Sequence, residues 1–256
     1  MYACIVQSIS FPFEVCSHVP IRNLHVTFAY YFLGSRLSIT VVRTGNSAGE
    51  TGPTIILCKG TKANKHASFT DEFLVKQGLA PGSTILMTEN AYMTDDAWGE
   101  CTPHLLEGYR KMPVIEDNPE WEIIEFLDGF RSHENNLEAN KARTAAKVRS
   151  IKEESQTSHA CQAYDQETAK QDKKNCADTL AKQRFAKRHD PKGKGLNQWD
   201  LVIVVIEIVR MTRKSTWICS FRNEEDFSWG ELKEGLQLYD EEGVFLEGDN
   251  AGADGT

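Results

Sequence analysis

The run from Trp121 to His133 reads W-E-I-I-E-F-L-D-G-F-R-S-H, with Ile123, Ile124, Phe126 and Leu127 leading into Asp128 and Gly129. That pattern predicts a buried strand that runs out into a carboxylate, with a glycine freeing the backbone to turn. A carboxylate at the end of an apolar strand is costly unless something pairs with it, and a divalent cation is one such partner. Thirty-seven residues further on, S-H-A-C-Q-A-Y-D-Q sets Asp165 in a similarly polar stretch. Two aspartates from separate elements can hold Mg²⁺ or Mn²⁺ as hard oxygen ligands. Two such ions activate a water or a 3′-hydroxyl and stabilise the leaving oxygen in phosphodiester chemistry, and the site usually needs a third carboxylate. The bland alternative is that an Asp before a Gly serves a turn or a cap. His133, His159 and Gln162 stand near the two acids and can orient a carboxylate or a phosphate, although a lone His is usually structural.

Other chemistry is weaker. Asp95 and Asp96 follow Thr94 and precede Ala97-Trp98, which fits a helix N-terminus better than a catalytic pair. Lys59-Gly60 follows an apolar strand but lacks the glycine spacing of a phosphate loop. Neither G-x-S-x-G nor H-E-x-x-H occurs. The five tryptophans read as packing residues rather than a base-stacking platform. Seven scattered cysteines form no C-x-x-C and no zinc spacing, so they read as reduced thiols of an intracellular protein. No apolar run is long enough to span a bilayer, and the N-terminus lacks the basic start of a secretory signal.

The elements that must position these residues follow from periodicity and punctuation. Strands are predicted over Arg36–Arg43, Thr54–Cys58, Ser83–Thr88 and the segment ending at Asp128; short and long helices over Asp71–Gln77 and Ala97–Tyr109. Helices are further predicted over Asn136–Glu154, Asp165–His189 and Leu196–Trp217, with a breaker at Asp190–Gly195. Residues 1–35 show no clear period and read as irregular. Strands interleaved with helices, then helices alone, give an α/β class with a C-terminal helical appendage.

The net charge of −8 argues mildly against a nucleic-acid binder, but its distribution is uneven. Lys141 to Lys194 holds 14 Lys/Arg against 7 Asp/Glu, whereas Arg222 to Thr256 holds 11 acids and 2 bases. The basic centre can track a phosphate backbone, or it can be a solvated helical face.

Four pieces in order give a resemblance. G-P-T-I-I-L-C-K-G (52–60) is similar to a P-P-x-I-I-x-x-G-K strand, and G-S-T-I-L-M-T-E-N-A-Y-M-T-D-D-A-W (82–98) to a strand followed by a helix. L-D-G-F-R-S-H (127–133) resembles L-D-G-H-x-S-H, and S-H-A-C-Q-A-Y-D-Q (158–166) resembles S-H-x-x-Q-P-L-D-x. In this order the pieces resemble the DDE superfamily endonuclease domain of pogo/jerky-type transposases, and the resemblance spans roughly Leu37 to Phe221. The resemblance implies an RNase H-like mixed sheet flanked by helices, nuclear location, and DNA as partner through the Lys141–Lys194 region. It implies that Asp128 and Asp165 are catalytic Mg²⁺ or Mn²⁺ ligands, with His133, His159 and Gln162 supporting them. The departures are Phe130 for a histidine, Ala163-Tyr164 for Pro-Leu, and no acid in a D-E-x-G-type strand upstream of Gly52; Glu14 and Glu50 are the only earlier acids. The helix-turn-helix modules usual in the family also have no room ahead of the match. The expectation is therefore a truncated or degenerate member, impaired in strand cleavage. Its expected organisation is an irregular 1–35, a DDE/RNase H-like domain over 36–189, a helical appendage over 190–221 and an acidic, partly disordered tail over 222–256. A non-enzymatic DNA-binding or scaffold protein of the same descent is the alternative.

Overall fold

The computed structural model describes residues 3–5, 21–31, 38–46, 48–127, 136–152, 168–188 and 196–217. Seven strands form one mixed sheet: β1 (Ala3–Ile5), β2 (Ile21–Tyr31), β3 (Ser38–Asn46), β4 (Ile55–Lys59), β5 (Thr84–Thr88), β6 (Ile123–Leu127) and β7 (Val148–Lys152). The order across it is β5-β4-β3-β2-β6-β7. β3 runs antiparallel to both β2 and β4, while β5 lies parallel to β4 and β6 and β7 run parallel to β2. β1 pairs antiparallel with β2 on the flank that β6 also uses.

The helices are α1 (Asp71–Lys76), α2 (Asp95–Arg110), α3 (Pro113–Glu116), α4 (Leu137–Ala145), α5 (Ala169–Arg188) and α6 (Gln198–Met211). Side chains alternate across the strands, so β3 and β4 feed two cores. Val42, Ile55 and Leu57 meet Trp98, Cys101, Leu105 and Tyr109 of α2 on one face. Ile39, Val41, Ile56 and Cys58 meet Leu201, Val202, Val205 and Val209 of α6 on the other. Strands covered on both faces have no solvent side, which is why Ile55 to Cys58 is an unbroken buried apolar run. α5 packs outside α6, through Cys176 against Val204 and Ile208.

Local chemistry sets the ends of these elements. Thr94 caps α2 by accepting from the Ala97 amide, and Asp95 and Asp96 lie in the first turn, as the sequence predicts. α2 can lie close to the Pro53 and Pro81-Gly82 turns only because Gly108 is small. A Cβ there would stand 2.5 Å from Pro53 Cγ and 2.6 Å from the Pro81 carbonyl oxygen. Asn197 caps α6 and Asp200 returns the bond to its amide, a reciprocal capping box.

Three expectations are corrected. Residues 21–31, read as irregular, form the longest strand, because Leu24, Val26, Phe28 and Tyr30 alternate at period two. The helix expected over Asn136–Glu154 stops at Ala145: Lys147 takes a left-handed φ of 55°, and Val148–Lys152 continues as β7 beside β6. Leu196–Trp217 is no appendage. α6 is apolar enough to form one layer of the fold, and seven of its residues are buried. The breaker Asp190–Gly195 lies outside the described residues apart from its flanks.

Candidate functional site

Asp128, His133, His159, Gln162 and Asp165 all lie outside the described residues. What is described is the set of elements that carry them. β6 delivers the chain to Leu127, one residue before Asp128. Its ladder with β2 runs from Ile21↔Ile123 to Leu24↔Phe126, and from Val26 onward the same flank of β2 pairs with β1 (Val26↔Ile5). β1 and β6 therefore meet end to end along β2, and the β6 ladder closes two residues short of Asp128. On the second aspartate's side, Thr168 is fully buried and α5 starts at Ala169, four residues after Asp165.

The described residues contain two buried ionic groups that fix these elements to the sheet. The first lies under α2 and α4. Glu125, in the middle of β6, accepts from Tyr109 Oη at 2.9 Å on one oxygen, and from Arg143 Nε at 2.8 Å and Ser150 Oγ at 2.7 Å on the other. Arg143 Nη1 donates to Thr102 Oγ1 at 2.6 Å, and its guanidinium lies 4.4 Å from the centre of the Trp98 ring. Both charged side chains are 0% exposed. A buried carboxylate and guanidinium are tolerable only when each is paired and hydrogen-bonded; this network pairs both charges across β6, β7, α2 and α4 and leaves Arg143 Nη2 without an acceptor among the described residues.

The second group lies under α5 and α6. Arg43 of β3 donates from Nη1 to Asp172 Oδ2 at 2.6 Å and from Nη2 to Thr212 Oγ1 at 3.0 Å. Thr212 donates in turn to Asp172 Oδ1 at 3.1 Å. Asp172 belongs to the first turn of α5, so this pair holds that end of the helix against the sheet. Trp217 closes the group. Its ring stands 5.7 Å from the Arg43 guanidinium, its Nε1 donates to Thr51 Oγ1 at 2.8 Å, and it fills the space where a Cβ on Gly45 would be.

Sequence reasoning missed Glu125, Arg143, Arg43 and Asp172. The signal available for two of them was a single charge inside an otherwise apolar strand, I-I-E-F-L and T-V-V-R-T. Arg143 also leaves the tally of cations that could meet phosphate, since it is buried and committed.

Among the described residues, Cys58, Cys101 and Cys176 are poor nucleophiles and metal ligands at neutral pH. Cys58, Cys101 and Cys176 are buried and unbridged. Burial pushes the Cys58 thiol up to about 12, against a smaller opposing pull from Lys65. It pushes Cys176 up to about 11 with help from Asp172, and raises Cys101 as well. All three stay protonated thiols. Trp98 and Trp217 are fully buried and Trp199 stacks on Phe69 at 5.2 Å, in line with the packing role expected of them. Among the described residues no three His, Cys, Asp or Glu side chains are placed to share a metal ion. No helix among them is long and apolar enough to cross a membrane.

The region Lys141–Lys194 splits into parts with different roles. Arg143 is buried, Arg149 pairs with Glu122 at 3.2 Å and Lys187 with Asp200 at 3.2 Å. Lys173, Lys174, Lys182 and Arg184 of α5 are exposed. No protein-family model, curated protein or solved structure matches the chain.

Proposed function

We propose that this chain is a transposon-derived DDE endonuclease-like domain of nucleic-acid-binding ancestry that has lost efficient strand cleavage. The single observation that carries this reading is the order of the sheet around β6. A three-stranded antiparallel meander (β2-β3-β4) is extended on its first strand by two parallel strands (β6 and β7). An RNase H-like sheet has that order, and L-D-G-F-R-S-H begins at the last residue of β6.

The flanking elements support a meeting of the two aspartates. The ion pair at Arg43 ties the first turn of α5 to β3 opposite Val26, two residues past the last β2–β6 pair. Adjacent strands lie about 4.8 Å apart. The three residues from Thr168 back to Asp165 reach at most about 10 Å. On this reading Asp128 and Asp165 hold Mg²⁺ or Mn²⁺, with His133, His159 and Gln162 orienting them, and the protein acts in the nucleus on DNA. The acid that should complete the set is missing from the described strands upstream: β2 and β3 together contain neither Asp nor Glu. Two carboxylates instead of three weaken cation binding and spoil the two-metal geometry.

The test is incubation of purified protein with labelled duplex DNA and Mg²⁺ or Mn²⁺. The expected result is binding that weakens steeply with salt and little or no cleavage. Robust cleavage abolished by Asp128→Ala would show that a third ligand had been overlooked. The absence of any DNA binding at low salt would reject the nucleic-acid reading altogether. The acid-free β2 and β3 and the exposed cations of α5 also favour a second reading, a DNA-binding or scaffold protein without enzymatic activity. It predicts the same affinity with metal chelated.

A further inference from the structure

The solvent face of α5 is a basic surface. Lys173, Lys174, Lys182 and Arg184 are exposed there, Asp178 is the only carboxylate among them, and Ala177 and Ala181 lie between. Among the described residues none of the four cations is ion-paired. The opposite face of the helix is committed to the fold through Asp172, Cys176 and Thr179.

One segment of this chain has the complementary composition. Residues 222–256 carry 11 acids and 2 bases, interleaved with Phe227, Trp229, Leu232, Leu236, Leu238, Tyr239 and Phe245. The place where it departs is fixed. Trp217 is anchored on Gly45 and Thr51, and it stands against the Arg43 that holds Asp172 in the first turn of α5. The chain beyond Trp217 thus starts beside one end of a 20-residue helix about 30 Å long. Seven residues, Trp217 to Glu224, already reach up to about 25 Å.

We propose that the acidic segment 222–256 docks in cis on the solvent face of α5, with its carboxylates opposite Lys173, Lys174, Lys182 and Arg184. It covers the surface that a phosphate backbone would use. This second statement rests on the DNA-binding reading above, whereas the docking itself does not. The contact is electrostatic and solvent-facing, so salt weakens it: the screening length falls from about 10 Å at 0.1 M to about 3 Å at 1 M.

The test is low-level amine labelling of the full-length protein, read peptide by peptide, with the exposed Lys59 and Lys76 as internal references. Lys173, Lys174 and Lys182 should label several-fold more slowly than the references at low salt and catch up near 1 M salt. In a full-length variant carrying Glu224→Gln, Glu225→Gln, Asp226→Asn, Glu231→Gln and Glu234→Gln the protection should vanish at low salt. Dilution should leave the wild-type protection unchanged. Equal labelling of the α5 lysines and the references at all salt concentrations overturns the proposal, and that comparison needs only the wild-type chain. Protection that disappears on dilution overturns docking in cis in favour of a second copy. Duplex DNA affinity is then compared between the two proteins. About tenfold tighter binding by the variant is expected, since removing five acids uncovers several phosphate contacts. Loss of protection with DNA binding absent in both proteins retains the docked segment and rejects the nucleic-acid reading.

Discussion

Glu125 and Arg143 are the charges whose environment is most demanding, because neither touches water. Removing one partner strands the other, so Arg143→Met should cost about 3–5 kcal/mol of stability in urea unfolding. Adding Glu125→Gln removes the stranded charge and should recover about 1–3 kcal/mol, the coupling typical of residues in one network. Strictly additive effects would mean that the two side chains do not depend on each other. The buried thiols make a prediction of opposite character. An unfolded cysteine titrates near 9.0 and folded Cys58 near 12, so the unfolded chain loses its proton first as the pH rises. The thiol's contribution is complete below pH 9 and is lost between 9 and 12, at about 1.4 kcal/mol per pH unit. Cys58→Ala should therefore flatten the alkaline fall in stability. An unchanged slope in that variant would show that Cys58 titrates normally in the folded protein.

At the scale of elements, the turn between α4 and β7 explains what a pattern of good helix formers conceals. Asn136 to Glu154 contains no Gly or Pro, and local propensity alone favours one long helix. What ends it is the gain from placing Val148 and Ser150 in the sheet beside β6, where Val148 joins the core and Ser150 reaches Glu125. That gain outweighs a left-handed Lys147, a conformation that costs a non-glycine residue about 1–2 kcal/mol. Lys147→Gly should relieve most of this and raise the unfolding midpoint; a lower midpoint would show that Lys147 is not strained. β2 conceals itself differently. Its alternation is legible in Leu24, Val26, Phe28 and Tyr30, but Arg22, Asn23 and His25 blur the strand's start. The strands over Thr54–Cys58 and Ser83–Thr88 and the cap at Thr94 were legible because β-branched runs and cap residues act within a few positions of themselves. The salt bridges were not, because Arg43 and Asp172 are 129 residues apart and nothing local announces their pairing.

The whole molecule turns on the fact that β3 and β4 supply residues to both cores. Val42, Ile55 and Leu57 point to α2, while Ile39, Val41, Ile56 and Cys58 point to α6. Loss of either helical layer exposes one face of the same two strands to water. Each fully buried aliphatic side chain uncovered in this way forfeits about 1.5–3 kcal/mol. Losing four of them at once is comparable to the entire stability of an ordinary domain, about 5–15 kcal/mol. Neither face can open while the other stays folded, although α6 follows the strands by more than a hundred residues. Trp98 reports on the first core and Trp217 on the Arg43 group that ties α5 and the end of α6 to the sheet, and both are fully buried. Variants that keep only one of these two tryptophans, with Phe in place of the other, should give urea transitions that coincide with each other and with the loss of helical signal. Two separated midpoints, with the Trp217 signal lost first, would instead make α6 the detachable appendage that its position in the chain suggests.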